Sequence, residues 1–147
     1  MIWESLGNRT ATEIITSQLQ ALQDAGLLSN KSLFLIVIRS RISQPHHDFA
    51  LKIFDDLWHS FKIIDVTLAI PYFNTDKTYT SALPGVQVSS NEAIDLYTWY
   101  PFLANERCGK VSRVDVIDKW QVENSKGFLK NTNLFPKKYL EIQWAVL

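Results

Sequence analysis

Leu33-Phe34-Leu35-Ile36-Val37-Ile38, the stripe Phe49, Ile53, Leu57, Phe61, and Ile63-Ile64-Asp65-Val66-Thr67-Leu68-Ala69-Ile70 together decide the fold. The first run has no polar alternation, the pattern of a strand covered on both faces. Pro45 suits the first turn of a helix, where its missing N–H would be unpaired anyway. Behind it the apolar positions repeat every four residues, with Ala50, Phe54 and Trp58 alongside, while Lys52, Asp55, Asp56, His59 and Ser60 take the remainder. Such a helix buries one broad face. The second run is rich in branched side chains and closes at Pro71, so strand, helix and strand follow in the order of a crossover unit, which makes a parallel pair.

Upstream, Thr10-Ala11-Thr12-Glu13 reads as a capping box. Ile14, Ile15, Leu19 and Leu22 then recur at helical spacing and Gly26 supplies a stop, predicting a helix over 11–25. Downstream, Asn74, Thr75, Asp76, Pro84 and Gly85 mark 72–91 as a loop with a short extended piece at 86–88. Ile94 to Tyr100, stopped by Pro101, is a third strand expected beside the first two. Ser112 reads as the cap of a short helix over 113–123, because Val114, Ile117 and Gln121 share a face and Asp115 and Lys119 pair four apart. Beyond Gly127 periodicity does not settle the element type. The expectation is therefore α/β: a small three-layer parallel sheet of at least three strands with helices on both faces. One domain should span 1–138, with a divergent or truncated tail over 139–147.

The 147 residues suit a single domain, and a chain of this size can bury roughly two thirds of its extended surface. Hydrophobic residues make up 46% and charged residues 20%, which is globular composition. Fifteen basic residues balance fifteen acidic ones, so no net field draws in a polyanion, and nucleic acid is not an expected partner. No stretch approaches the roughly 18 to 20 apolar residues that cross a bilayer, so no direct membrane span is expected. The start, MIWESLGN, has neither a basic nor an apolar leader region. Cys108 stands alone, which excludes an internal disulfide and leaves a buried thiol or half of a bridge to a partner elsewhere. Asn8-Arg9-Thr10 and Asn30-Lys31-Ser32 are N-glycosylation sequons at the two ends of the first helix.

No pattern of catalytic or metal-ligating residues emerges. The five glycines never cluster into a phosphate-cradling loop. Arg39-Ser40-Arg41-Ile42-Ser43 could hold an anion after the first strand, against the plainer reading of a solvated turn. His46, His47 and His59 lack HExxH or CxxC spacing and read as surface residues. Cys108 before Gly109 superficially suits a reactive thiol, but no base lies near it in sequence, and a structural role is preferred. Asp55 and Asp56 are adjacent, so on a helix they diverge by about 100° and cannot act on one atom. They read as solvent-face charges. Tyr97, Trp99 and Tyr100 could line a cleft at the end of the third strand, although a core role for at least two of them is the preferred reading. No catalytic residue, metal or cofactor is expected.

The order LYTWYPF at 96–102, the pair Cys108-Gly109, VIDKW at 116–120 and Leu134-Phe135-Pro136 followed by lysine resembles the amino-terminal region of insect ionotropic receptors, chemosensory channels related to ionotropic glutamate receptors. The likeness covers about 33–138 and is strongest from Ile94 onward. Such receptors carry an α/β segment ahead of the ligand-binding lobes, so the resemblance implies an extracellular, non-catalytic fragment at the plasma membrane, with other receptor subunits as partners and a role in assembly or packing. The chain departs from the family after Pro136, running Tyr139-Leu140-Glu141-Ile142-Gln143-Trp144 where the relatives lead into the ligand-binding lobe. Without lobes or pore it would not conduct ions by itself. Two other readings stay open: a small flavodoxin-like enzyme using a cleft near Arg39 and Tyr97, and a cytoplasmic interaction domain.

Overall fold

The computed structural model describes residues 10–29, 31–39, 41–72, 93–101, 110–121, 127–136 and 138. Helix α1 (Ala11–Asp24) starts on the expected capping box: the Thr10 hydroxyl accepts from Glu13 N at 3.3 Å and Thr10 N donates to Glu13 Oε2 at 2.8 Å. It ends at Gly26, whose φ of 69° lets Gly26 N reach Gln23 O at 2.9 Å and Leu27 N reach Leu22 O at 2.9 Å. That pairing is a Schellman closure, which satisfies carbonyls the helix end leaves open. Helix α2 (His46–Phe61) begins behind Pro45, which caps it from outside the first turn, and its stripe Phe49, Ile53, Leu57 and Phe61 is buried as the four-residue repeat requires.

The three runs expected to be strands join one sheet, as β1 (Phe34–Val37), β2 (Val66–Pro71) and β3 (Ala93–Thr98), and β4 (Asp115–Gln121) and β5 (Gly127–Phe128) extend it in the order β1-β2-β3-β4-β5. The α/β class holds, and β1 and β2 are the parallel pair that the intervening helix demands. The sheet as a whole is mixed, because β3, β4 and β5 each run antiparallel to the strand before them. Within 113–123, expected as a helix, residues 115–121 instead form strand β4. A second difference lies in the layers. Leu19 of α1 and Phe49, Ile53, Phe54 and Leu57 of α2 meet Val66, Leu68, Ile70, Tyr97 and Trp99 in one core, so both described helices cover the same face.

The opposite face carries a smaller cluster, Ala69, Leu96 and Ile117, with Ile94 and Leu134 against it. The chain after β5 is drawn onto this face by Asp118, whose carboxylate accepts from Lys119 N at 2.7 Å, Lys130 N at 2.9 Å and Thr132 N at 2.9 Å. Burial acts to raise the Asp118 pKa, but those three amides and the charge of Lys130 outweigh it and leave the carboxyl below its ordinary value. Further along, the Thr67 hydroxyl donates to Leu134 O, and Lys138 Nζ donates to Ile64 O at 2.7 Å. Among the described residues, no helix is long and apolar enough to cross a membrane.

Candidate functional site

Open α/β sheets place their sites at the carboxyl ends of parallel strands. Here that end is occupied by a row of polar side chains inside the helix-covered core. The pairing register sets Ile70, Asp95 and Lys119 side by side on adjacent strands. Asp95 and Lys119 are both 0% exposed, and Lys119 Nζ lies 3.3 Å from Asp95 Oδ1. Tyr72, just past the end of β2 and tied down by Tyr72 N to Ala93 O at 2.7 Å, donates its hydroxyl to Asp95 Oδ2. The Lys119 ammonium sits 4.6 Å from the centre of the Tyr72 ring, a cation–π contact inside a low-dielectric core. His46, the first residue of α2, closes the group with its ring 4.8 Å from that of Tyr72.

A bulge makes this arrangement possible. Tyr97 pairs with Val116 and Leu96 with Asp118, so Ile117 is an extra residue in β4. Strand side chains alternate, and a single inserted residue reverses the alternation beyond it. Val116 and Lys119, three apart, therefore share the helix-covered face, and Lys119 meets Asp95. Tyr97, two residues from Asp95 on the same face, has its phenol pushed far above the ordinary range, first by burial and then by the charge of Asp95 and a hydrogen bond to it. One carboxylate thus meets an ammonium and accepts from the Tyr72 phenol. A charge this deeply buried is stable only when so surrounded; Asp95 Oδ1 meets the Lys119 ammonium as an ion pair without an aligned hydrogen bond.

The residues singled out from sequence fall around this centre in different ways. Tyr97 and Trp99 are buried in the core, at 1% and 4% exposure, and Trp99 packs on Trp58 with ring centres 5.7 Å apart. His46 is buried, not a surface residue, because the first turn of α2 leans over the end of β2 onto Tyr72. His47 and His59 are exposed, beside Asp48 at 3.5 Å and Asp55 at 3.4 Å. Asp55 is more than a solvent-face charge, since its Oδ1 accepts from Val111 N at 3.0 Å and pins the approach to β4 against α2. Arg39 and Arg41 are exposed past the end of β1. Cys108, Asn8 and Asn30 lie outside the described residues, as do Ser40 and the piece at 86–88. Among the described residues no group of three or more His, Cys, Asp or Glu is placed to hold a metal.

Residues 17–141 match a family model described as "Putative ionotropic receptor, ligand binding domain". The chain belongs to this family. No curated protein and no solved structure matches the chain. The family is one of receptor domains and not of enzymes, and its matched span takes in helix α2, the second half of α1 and the five described strands of this ionotropic-receptor domain. Sequence reasoning passed over Tyr72 and Asp95 and paired Lys119 with Asp115, whereas in the structure Lys119 meets Asp95 and Asp115 meets Arg113 at 2.8 Å. A signal was present in β3, where Asp95 interrupts the run Ala93-Ile94-Asp95-Leu96-Tyr97, but Asp115, Asp118 and Gln121 share β4 with Lys119 and hid the lysine.

Proposed function

We propose that this chain is an extracellular, non-catalytic module of an insect chemosensory ionotropic receptor, working by packing and assembly with other receptor subunits and not conducting ions alone. The observation that carries the reading is the family match over 17–141, on which receptor membership rests. Support for a packing role comes from the polar row: Asp95, Lys119 and Tyr72 are engaged with one another where an enzyme would present reacting groups. The sequons at Asn8 and Asn30 fit passage through the secretory route.

The experiment is co-expression. The chain, given a signal peptide and an epitope tag, is produced with a full-length receptor subunit, and the surface fraction is purified through the subunit. Co-purification of the tagged chain, carrying a glycan lost in Asn8→Gln/Asn30→Gln, is the expected result; absence of association at equal expression overturns the assembly role. A second reading, ligand binding, draws on the description of the family itself. It is tested by thermal shift against small acids and amines, where a saturable rise in melting temperature would replace packing with recognition.

A further inference from the structure

Residues 31–39 alternate without a break between outer and inner positions. Lys31, Leu33, Leu35, Val37 and Arg39 are exposed, whereas Ser32, Phe34, Ile36 and Ile38 are half-buried or buried. The outer row is therefore three aliphatic side chains, 59%, 47% and 37% exposed, with a cation at each end. The backbone of the same residues is turned outward as well. Strand β1 stands at the end of the strand order, and Phe34 N reaches Asp65 O and Ile38 N reaches Ala69 O, each at 2.9 Å, so Phe34, Ile36 and Ile38 direct their peptide groups toward β2. By alternation Leu33, Leu35 and Val37 direct theirs to the side where no described strand lies. Folded proteins commonly break up such an edge with a bulge, a proline or a charge within it. The pairing of β1 is regular, and neither proline nor charge occurs between Lys31 and Arg39.

We propose that the outer edge of β1 is a strand-addition site for an extended segment of another protein, one with apolar side chains at three alternate positions and a carboxylate at each end of them. An added strand answers both features at once, through main-chain bonds to Leu33, Leu35 and Val37 and side-chain contacts with the same three residues. Antiparallel addition makes the slightly more stable ladder, and it sets an apolar residue directly across from each of the three, at about 4.5–5.5 Å. The charges choose the occupant. Between Asp24 and Asp48 the chain has no acidic residue, so the whole stretch around the edge is cationic. A second copy of β1, paired so that Leu35 meets Leu35 and Leu33 meets Val37, sets Lys31 opposite Arg39 at both ends, and like charges directly opposite are destabilising. A segment ended by Asp or Glu reverses the sign of both contacts. The site depends on this edge alone, whether or not the chain assembles with receptor subunits.

The probe is a peptide matched in length to 31–39, Glu-Thr-Val-Thr-Val-Thr-Val-Thr-Glu, blocked at both ends, carrying a fluorophore and titrated against the full chain at low salt with anisotropy as the readout. Saturable binding is expected, weakened about fivefold when both Glu are replaced by Lys and about tenfold when the three Val are N-methylated, which removes the donors that antiparallel addition uses. In Lys31→Glu/Arg39→Glu, two exposed positions, the preference should invert, with the Lys-ended peptide the tighter binder. Equal affinity for the Glu-ended and Lys-ended peptides, unaltered binding of the N-methylated one, or no saturation up to about 1 mM would overturn the proposal. Concentration-dependent dimerisation of the chain that Leu35→Glu abolishes, with circular dichroism unchanged, would overturn it too, by naming a second copy as the occupant.

Discussion

Replacing Lys119 with methionine keeps an unbranched side chain one atom shorter and removes its charge, leaving the Asp95 carboxylate inside the core without that ammonium. At the observed separation of 3.3 Å, an effective dielectric of about 20 puts the lost attraction at about 5 kcal/mol, and truncating one partner of a buried pair typically costs about 3–5 kcal/mol. Asp95→Leu should cost more. It removes the carboxylate beside Lys119 and also the acceptor of the Tyr72 hydroxyl, adding about 1–2 kcal/mol. The double variant keeps neither charge, so the lost Tyr72 bond dominates, and its loss should be about 1–2 kcal/mol. The two single losses would sum to at least about 7 kcal/mol, so the coupling is about 5 kcal/mol or more.

The assay is urea unfolding at pH 7, followed by tryptophan fluorescence, with Trp58 and Trp99 packed in the same core as reporters. For a domain of this size Lys119→Met should also lower the melting temperature by about 10–15 °C. A Lys119→Met variant within about 0.5 kcal/mol of the parent, or a double variant whose loss equals the sum of the singles, would refute the claim that this pair is buried and mutually dependent.

Three further outcomes follow from the same geometry. Burial, partly countered by Asp65, brings the pKa of Lys138 down to about 8 from an unfolded 10.5; the unfolded chain then binds more protons between those values, so stability rises as pH climbs from about 8, by up to about 3 kcal/mol. The raised Tyr97 phenol works the other way above pH 10, where the folded state keeps a proton the unfolded state releases. Urea midpoints from pH 7 to 10 should therefore increase in the parent and stay flat in Lys138→Met. For Asp118, stability is present above the unfolded pKa of 3.8 and is lost as pH falls through the lower folded value; Asp118→Asn should cost about 2 kcal/mol and flatten the acid limb, read by chemical denaturation between pH 2 and 5. Asp55→Ala removes the acceptor for Val111 N, at a cost of about 1 kcal/mol, and amide exchange at Val111 should accelerate while that of Leu68 changes only with global stability.

How far the fold could be read depended on whether a segment kept one period from end to end. Helix α2 did, so Phe49, Ile53, Leu57 and Phe61 announced both the helix and its buried face, and the parallel pairing of β1 and β2 followed from having a helix between them. The direction of β3 was also within reach: the turn residues over 72–91 show no helical repeat, and without a covering crossover a return strand should run antiparallel, as it does. Other features carry no local sign. The burial of His46 and the hold of Asp55 on Val111 arise from contacts between distant parts of the chain.

Strand β4 is the instructive failure, because what concealed it also assembled the candidate site. In Val114-Asp115-Val116-Ile117-Asp118-Lys119-Trp120 the alternation holds through Val116 and then slips by one at Ile117, so Val114 and Ile117 fall three apart and Asp115 and Lys119 four apart, the spacing of a helix face and a helix ion pair. In the structure that slip is the bulge opposite Leu96 and Tyr97. Remove it, and Lys119 turns to the face of Leu134 while Asp95 stays among the helices with no cation. The bulge leaves Asp118 on that same face, where its carboxylate gathers the amides of Lys130 and Thr132 and brings the chain back over the sheet. Alternation alone sends two adjacent charges to opposite sides of the sheet; the inserted residue decides which, turning the lysine to the polar row and the aspartate to the segment that covers the other face.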